Sequence, residues 1–386
     1  MGWERTKATT KELPTEPSFV GWLMAGGIAV VMGVLLFILH ASGMVKALVP
    51  LSIWWLAFSP VIAWFFLFCL RGWLWGRVVG EHQFLNKEAE HGQRQWEIWA
   101  GRYLAVLGNC ILLPSRVTAD AIATSSDAAA VQHLSLACHF EEGDATEACL
   151  INAGLAGLQK ALKSLPASLP LNVTLVTDIP SVQMECLFRQ AWAEFYPDRA
   201  VPTPISVCET LSFAWIEERL KAPVLDVDLI LVLQKNGNEQ YSDALAAMLL
   251  TSDDVAQKYQ LPHSSRLLRP MPLDMARFRG DMALFLETQT IACQTAKVFC
   301  DNRLWNERFA DVMTAAQAHK TPWEPEEIDV LEKYNGIPGT SSGWLLMALV
   351  SDMVTINKAP VLGLFTSGSD HFVSTITPGS ENNDAG

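Results

Sequence analysis

Apolar positions fall into two long uncharged runs near the start of the chain, and then into short runs separated by polar stretches. Phe19 to Leu39 reads FVGWLMAGGIAVVMGVLLFIL, 21 residues without a charge. At about 1.5 Å per residue such a helix crosses a hydrocarbon core of about 30 Å. Leu48 to Leu70 follows, with Pro50 and Pro60 as its only breakers. Pro60 predicts a kink that membrane helices tolerate. His40 to Ala47 forms the intervening turn, so residues 19–75 are expected to make a two-helix transmembrane hairpin behind a short N-terminal tail, 1–18. A cleaved signal peptide fits poorly. The first run is too long for the apolar part of a signal, no small-x-small cleavage site precedes a soluble stretch, and a second span comes at once.

The pattern then changes. Glu81 to Arg102 is charged and rich in Glu, Lys, Gln and Ala, good helix material. Residues 76–102 are therefore read as a connector continuing the second span. From 103 to 378 strands and helices alternate. Tyr103 to Leu113, Val131 to Ala137, Leu171 to Val176, Pro204 to Val207 and Leu229 to Gln234 read as strands. Ala145 to Ser164, Val182 to Phe195, Glu209 to Leu220, Asp281 to Cys300 and Trp344 to Ile356 read as helices. Ser242 to Leu250 opens polar and then runs small and apolar, as core does. Pro360 to Thr366 and Phe372 to Thr377 read as a closing strand pair. Alternation of this kind predicts a layered α/β body around a largely buried sheet. Residues 379–386 are polar and are expected to be a disordered tail.

Charge adds orientation. Arg5, Lys7 and Lys11 precede the first span, and Arg71 and Arg77 follow the second, whereas the short turn holds only Lys46. Lys and Arg favour the cytoplasmic side, so both ends and the body are expected there, in a bacterial inner membrane. Trp22, Trp54, Trp55, Trp73 and Trp75 sit near span ends as an aromatic belt would. Ala25, Ala29 and Gly33 form a small-residue stripe for packing within the hairpin or against a partner helix. The formal net charge is −13, which repels phosphate backbones and argues against nucleic acid as a partner. Residues 19–75 make the lipid bilayer a partner, and self-association stays open.

The eight cysteines are scattered, with no C-x-x-C pair, and are expected to be reduced thiols. His133, Cys138 and His139 are the nearest thing to a metal cluster, but no second ligand pair at zinc spacing accompanies them. No phosphate-binding glycine loop, G-x-S-x-G elbow or H-E-x-x-H motif occurs. No cofactor is expected.

One order of elements carries chemistry. The strand at Pro204 to Val207 ends on Cys208, with a helix expected at once. The apolar strand at Leu229 and the small-residue segment Tyr241 to Leu250 come next. Near the C-terminus stand a glycine-rich turn, Asn335 to Gly343, a helix, and a strand pair. This order resembles the thiolase-like fold of β-ketoacyl synthases. The resemblance implies a nucleophilic cysteine at a helix N-terminus, where the dipole lowers a thiol's pKa, and so singles out Cys208. It also implies a catalytic histidine in the glycine-rich turn, where this chain has Ile337. His319 stands for the family's other histidine. Without a histidine pair, a thioester carbonyl lacks its oxyanion support. Cys208 thus has two readings, a retained nucleophile or an ordinary buried cysteine.

A second resemblance concerns setting. A hydrophobic anchor joined to an α/β body with the segment YSDALAAMLLTSDDVAQKY resembles accessory proteins of bacterial type VI secretion loci, the lipase adapter family in particular. It implies a membrane-tethered, non-catalytic adapter or scaffold whose partner is a secretion component or an effector. The competing classes are an acyl-transfer enzyme using Cys208 and a membrane immunity protein in which the hairpin is the active part. A body of about 300 residues argues against the last.

Overall fold

The computed structural model describes residues 3–6, 8, 10, 12–43, 50, 52–114, 117–123, 136–141, 146–166, 168–222 and 224–380. The turn at Lys46, residues 131–135 of the strand expected over 131–137, and His133 lie outside them, as do residues 381–386. Of that expected strand, Ala137 makes an isolated antiparallel bridge to Gly336. Contacts divide the chain into two units, Arg5–Gln95 and the body formed by Met1–Glu4 with Trp96–Gly386.

Two helices are long and apolar enough to cross a membrane, α1 (Phe19–Ala41) and α2 (Ile53–Ala100), with 18-residue windows of mean hydropathy 2.5 and 2.0. The first unit contains α1 and all of α2 but its last five residues. Ser18 starts α1, its Oγ accepting from the Gly21 N–H at 3.2 Å. The expected small-residue stripe packs within the hairpin. Ala29 and Gly33 are buried, and a Cβ on Gly33 would stand 2.4 Å from the Ala57 carbonyl. Ala25 is exposed instead, and Gly26 takes its place by admitting the Trp64 ring. Trp64 Nε1 donates to the Trp22 carbonyl at 3.0 Å across the same contact. α2 runs unbroken for 48 residues, so the stretches expected as second span and connector lie on one helix, with Pro60 inside it.

The body is mixed α/β around one sheet. Its first half contains β1 (Tyr103–Leu112), α3 (Ala119–Ala123), α4 (Glu147–Gly157), α5 (Gln159–Ser164), β2 (Leu171–Thr177), α6 (Ser181–Phe195), β3 (Ile205–Cys208), α7 (Ala214–Lys221), β4 (Val227–Gln234), β5 (Ala244–Ser252) and α8 (Asp253–Lys258). Its second half contains β6 (Ser265–Leu268), β7 (Met271–Leu273), α9 (Phe278–Thr288), β8 (Lys297–Cys300), α10 (Phe309–His319), β9 (Ile328–Val330), α11 (Glu332–Asn335), α12 (Ser342–Asn357), β10 (Val361–Ser367) and β11 (Asp370–Pro378).

The strand order is β3-β2-β4-β5-β1-β6-β11-β10-β8-β9, with β7 beside β11. Numbering β1 to β5 within the first half, and β6, β8, β9, β10 and β11 within the second, gives 3-2-4-5-1 in both. The directions repeat too. β3, β2 and β4 are parallel and β5 opposes β4 and β1. Likewise β9, β8 and β10 are parallel and β11 opposes β10 and β6. The halves join through their first strands, Tyr103 opposite Leu268. The body is an internal duplication that no repeat in the sequence announces.

β4 and β5 are buried at every position, as an apolar run covered on both faces must be. On one face lie α4, α5 and α6; Gly157 lets α4 approach until a Cβ would stand 2.5 Å from that of Cys110. On the other lies α12, whose residues Ser342 to Ser351 are all buried. Its cluster draws on strands of both halves, from Ile230 and Met248 to Phe299 and Phe365, so α12 is the helix the halves share. α9 and α10 cover the outer face of the second half.

Candidate functional site

The Cys208 loop and the glycine-rich turn meet at the carboxyl ends of the parallel strands. In an open α/β sheet that rim is where sites are built. Cys208 closes β3, but α7 begins only at Ala214, so the helix does not come at once as the sequence pattern predicts. The intervening loop is held by tertiary contacts that a helical turn would break. The Phe213 ring stacks on Phe365 at 4.5 Å and lies 4.9 Å from Trp344. Trp344 Nε1 donates to the Leu211 carbonyl at 2.7 Å. The Cys208 thiol is thus removed from the helix N-terminus that would lower its pKa, and burial pushes it up instead. Cys208 packs half-buried with Leu211 and Trp215 against the central core. Among the described residues no hydrogen bond reaches its Sγ.

The glycine-rich turn is filled rather than open. Gly336 has φ +78°, and a Cβ there would stand 2.3 Å from the Leu136 carbonyl. Ile337 is bracketed by backbone hydrogen bonds, its N–H donating to Leu136 O at 3.1 Å and its carbonyl accepting from Ser242 N at 2.9 Å. Gly339 leaves room for the Gln234 side chain, whose Oε1 accepts from Ser341 N at 3.3 Å. Gly343 lies against Phe213 and the Thr366 carbonyl.

Beneath the turn sits a carboxylate that no sequence motif singles out. Asp301, fully buried directly after β8, accepts from Ser342 Oγ at 2.6 Å, Trp305 Nε1 at 2.8 Å, Thr366 N at 2.9 Å and Asn302 Nδ2 at 3.0 Å. Burial still pushes its pKa up despite those donors. Its counterpart is Asp178, directly after β2, which accepts from Lys235 N, Asn236 N and Tyr241 Oη at 2.9, 2.6 and 2.9 Å. In both halves the residue after the second strand fastens the end of the fourth. An acidic residue directly following a buried strand is the available signal.

His319 is the half-exposed last residue of α10, which packs against α9 on the outer face of the second half. Nothing among the described contacts joins it to Cys208, which belongs to the first half's rim. His139 turns to Asp243 at 3.1 Å, and Asp243 also accepts from Phe140 N. Among the described residues no three His, Cys, Asp or Glu side chains are grouped to hold a metal ion.

No family model and no curated relative matches the chain. Several solved structures are similar in shape. One is an acyl-carrier protein of a type II polyketide synthase with its ketosynthase, at 11% identity and TM-score 0.49, covering 72% of this chain and 99% of that one. Another is an oxazolomycin ketosynthase domain from Streptomyces albus, at 12% identity and TM-score 0.48, covering 72% and 95%. A third is 3-oxoacyl-[acyl-carrier-protein] synthase III from Aquifex aeolicus, at 13% identity and TM-score 0.44, covering 71% and 99%. Mixed α/β architecture around a large sheet is common to them and this chain. Likeness at this level says nothing of activity.

Proposed function

We propose that the chain is a membrane-tethered adapter with a thiolase-like, non-catalytic body that binds another protein, of the kind found with type VI secretion systems. The observation that carries this reading is the state of the Cys208 rim. A thiol acting as nucleophile needs its thiolate favoured, by a helix N-terminus, a cation or a base. Here burial disfavours it, the helix starts only after an intervening loop, and the position expected for a histidine holds Ile337 inside a backbone bridge. A rim packed with side chains and glycine contacts suits a surface that is bound as a whole. In this reading residues 1–18, 19–75, 76–102, 103–378 and 379–386 serve as tail, anchor, connector, body and C-terminal tail, with the body cytoplasmic. Trp3, packed in the body's core beside Trp99 and Phe285, supports placing tail and body on one side of the bilayer.

The second reading is acyl transfer through Cys208. It is favoured by the thiol's place at the carboxyl end of a parallel strand and by its partial exposure, and it is the chemistry that the ketosynthase names above describe for those proteins. Cys208→Ser separates the two. The exchange costs about 1 kcal/mol of packing, and serine supplies almost no alkoxide at neutral pH. For an adapter, pathway activity in cells stays at the wild-type level, with abundance checked by blot. Normal abundance with abolished activity, together with labelling of the wild-type protein by an acyl-thioester probe, would establish the enzyme reading instead.

A further inference from the structure

α2 does not simply end where the body starts; its last turn is built into the core. Trp99 meets Trp96 edge-on at 5.2 Å, and the Arg269 guanidinium lies 4.1 Å from the Trp99 ring centroid. Arg269 is 2% exposed. Its Nε donates to the Trp99 carbonyl at 3.0 Å, and its Nη1 reaches both carboxylate oxygens of Glu217, at 2.7 and 2.8 Å. Gln289 Nε2 donates to the Ala100 carbonyl at 2.9 Å and to the Arg269 carbonyl at 3.2 Å. Arg102, just past the helix, pairs with Asp253 at 2.7 Å and donates to the Leu220 carbonyl at 3.2 Å. Glu217 and Leu220 both belong to α7. Two arginines therefore tie the end of α2 to one short helix.

The other end of α7 is the rim. Phe213 caps it, stacks on Phe365 and lies tilted against Trp344, and Leu211 is held by Trp344 Nε1. α7 has eight residues, about 12 Å of length, too short to bend between its two attachments. A guanidinium taken out of water stays paired, because separating it from its carboxylate leaves an uncompensated buried charge. Movement of the end of α2 is then passed on to α7 rather than absorbed between them.

Building on the reading of residues 19–75 as a membrane anchor, we propose that the Arg269–Glu217 pair is the joint through which the anchored helix sets the position of α7, and with it the exposure of the rim at Cys208. Arg269 and Glu217 are positioning residues in this scheme and touch no ligand themselves. The cysteines provide the readout. Cys208 lies on the rim, while Cys300, fully buried at the end of β8, reports opening of the whole body.

The test is the time course of alkylation by N-ethylmaleimide in the full-length chain in native membranes, monitored peptide by peptide by mass spectrometry. Glu217→Gln removes the charge and keeps the shape; Trp99→Phe leaves the ion pair but loosens its seat on α2. A coupling of about 1.4 kcal/mol corresponds to a tenfold change, so Cys208 is expected to react about tenfold faster in Glu217→Gln and by a smaller factor in Trp99→Phe, with the Cys300 rate unchanged. An unchanged Cys208 rate in both variants overturns the proposal. So does a parallel rise at Cys208 and Cys300, which a purely structural role or failure to fold would give. Carbonate extraction of the wild-type membranes runs alongside. Release of the chain into the soluble fraction would sink the anchor reading and leave the labelling result readable by itself.

Discussion

The two halves of the sheet share an order of strands and differ in the segment after the third strand. After β3 come a five-residue loop and the eight-residue α7, which buries Ile216 and Leu220. After β9 come α11, the glycine-rich turn and the sixteen-residue α12, buried along nearly its whole length. One half thus supplies the central helix, and the other supplies a short helix and a loop that leans on it. A duplicated architecture constrains the sheet, where hydrogen-bonded ladders leave little choice. It constrains far less the segments that cross the ends of the strands, and those are the segments that decide whether a rim is a pocket or a packed face. Here the second half's turn, with Ile337 in it, closes over Gln234 and Phe213 and fills the space.

The two aspartates after the second strands are the sharpest way to probe that difference. Asp301→Ala leaves the Ser342 hydroxyl, the Trp305 indole and the Thr366 amide without their shared acceptor. At about 1–3 kcal/mol for each unsatisfied buried group, a loss of about 4 kcal/mol is expected in denaturant unfolding. Asp178 does the same job from a half-exposed position, where water replaces part of what is lost, so Asp178→Ala is expected to cost about 2 kcal/mol. Equal losses would mean that the halves fasten their fourth strands with equal force, against the comparison.

Gly336→Ala comes next. The turn has no counterpart in the first half, and its backbone stands at positive φ with a carbonyl where the Cβ would go. A loss of about 2–3 kcal/mol is expected from strain and displacement of Leu136. A thermal midpoint matching the wild type would show that the turn is looser than its contacts imply.

The smallest effect is a slope. Burial raises the Asp301 pKa, so the folded chain holds that proton more tightly than the unfolded chain, whose carboxyl titrates near about 3.9. Its contribution to stability is therefore largest below the unfolded value and declines as pH rises towards the folded one. Asp301→Asn should flatten that decline in urea midpoints measured across the acid range. Asp228 and Asp352 are shifted the same way by burial, so the difference between wild type and variant isolates Asp301. An unchanged slope would mean that its hydrogen bonds, not its burial, set the protonation state.

How much the sequence reveals differs between the halves for a physical reason. Leu171 to Val176 and Leu229 to Gln234 are long, apolar and bounded by polar residues, and they form β2 and β4. β6, β8 and β9 have four, four and three residues, too short to set a period against their flanks. Asp281 to Cys300 reads as one helix because no glycine or proline interrupts it. The structure has the end of α9, a turn of 3-10 helix and β8 there, since pairing of Val298 to Cys300 with β10 outweighs local preference. The element order around Cys208 and the glycine-rich turn is legible in the sequence. The packing of Phe213 that delays α7 depends on Trp344 and Phe365, more than 100 residues away. The carboxylate of Asp301 joins its near neighbours Asn302 and Trp305 to Ser342 and Thr366, 41 and 65 residues on. Neither long-range contact is encoded locally.

The sheet also begins and ends on the same kind of strand. β3 and β9 are each the third of a half, and each is left at an edge. Joining two copies of a unit through their first strands turns both third strands outward, which makes the chain a bifunctional monomer in the sense of step-growth polymerisation. Those ends are four and three residues long. Edges so short offer few ladder bonds to a second chain. Lengthening one edge would permit pairs of chains, and lengthening both would permit fibres.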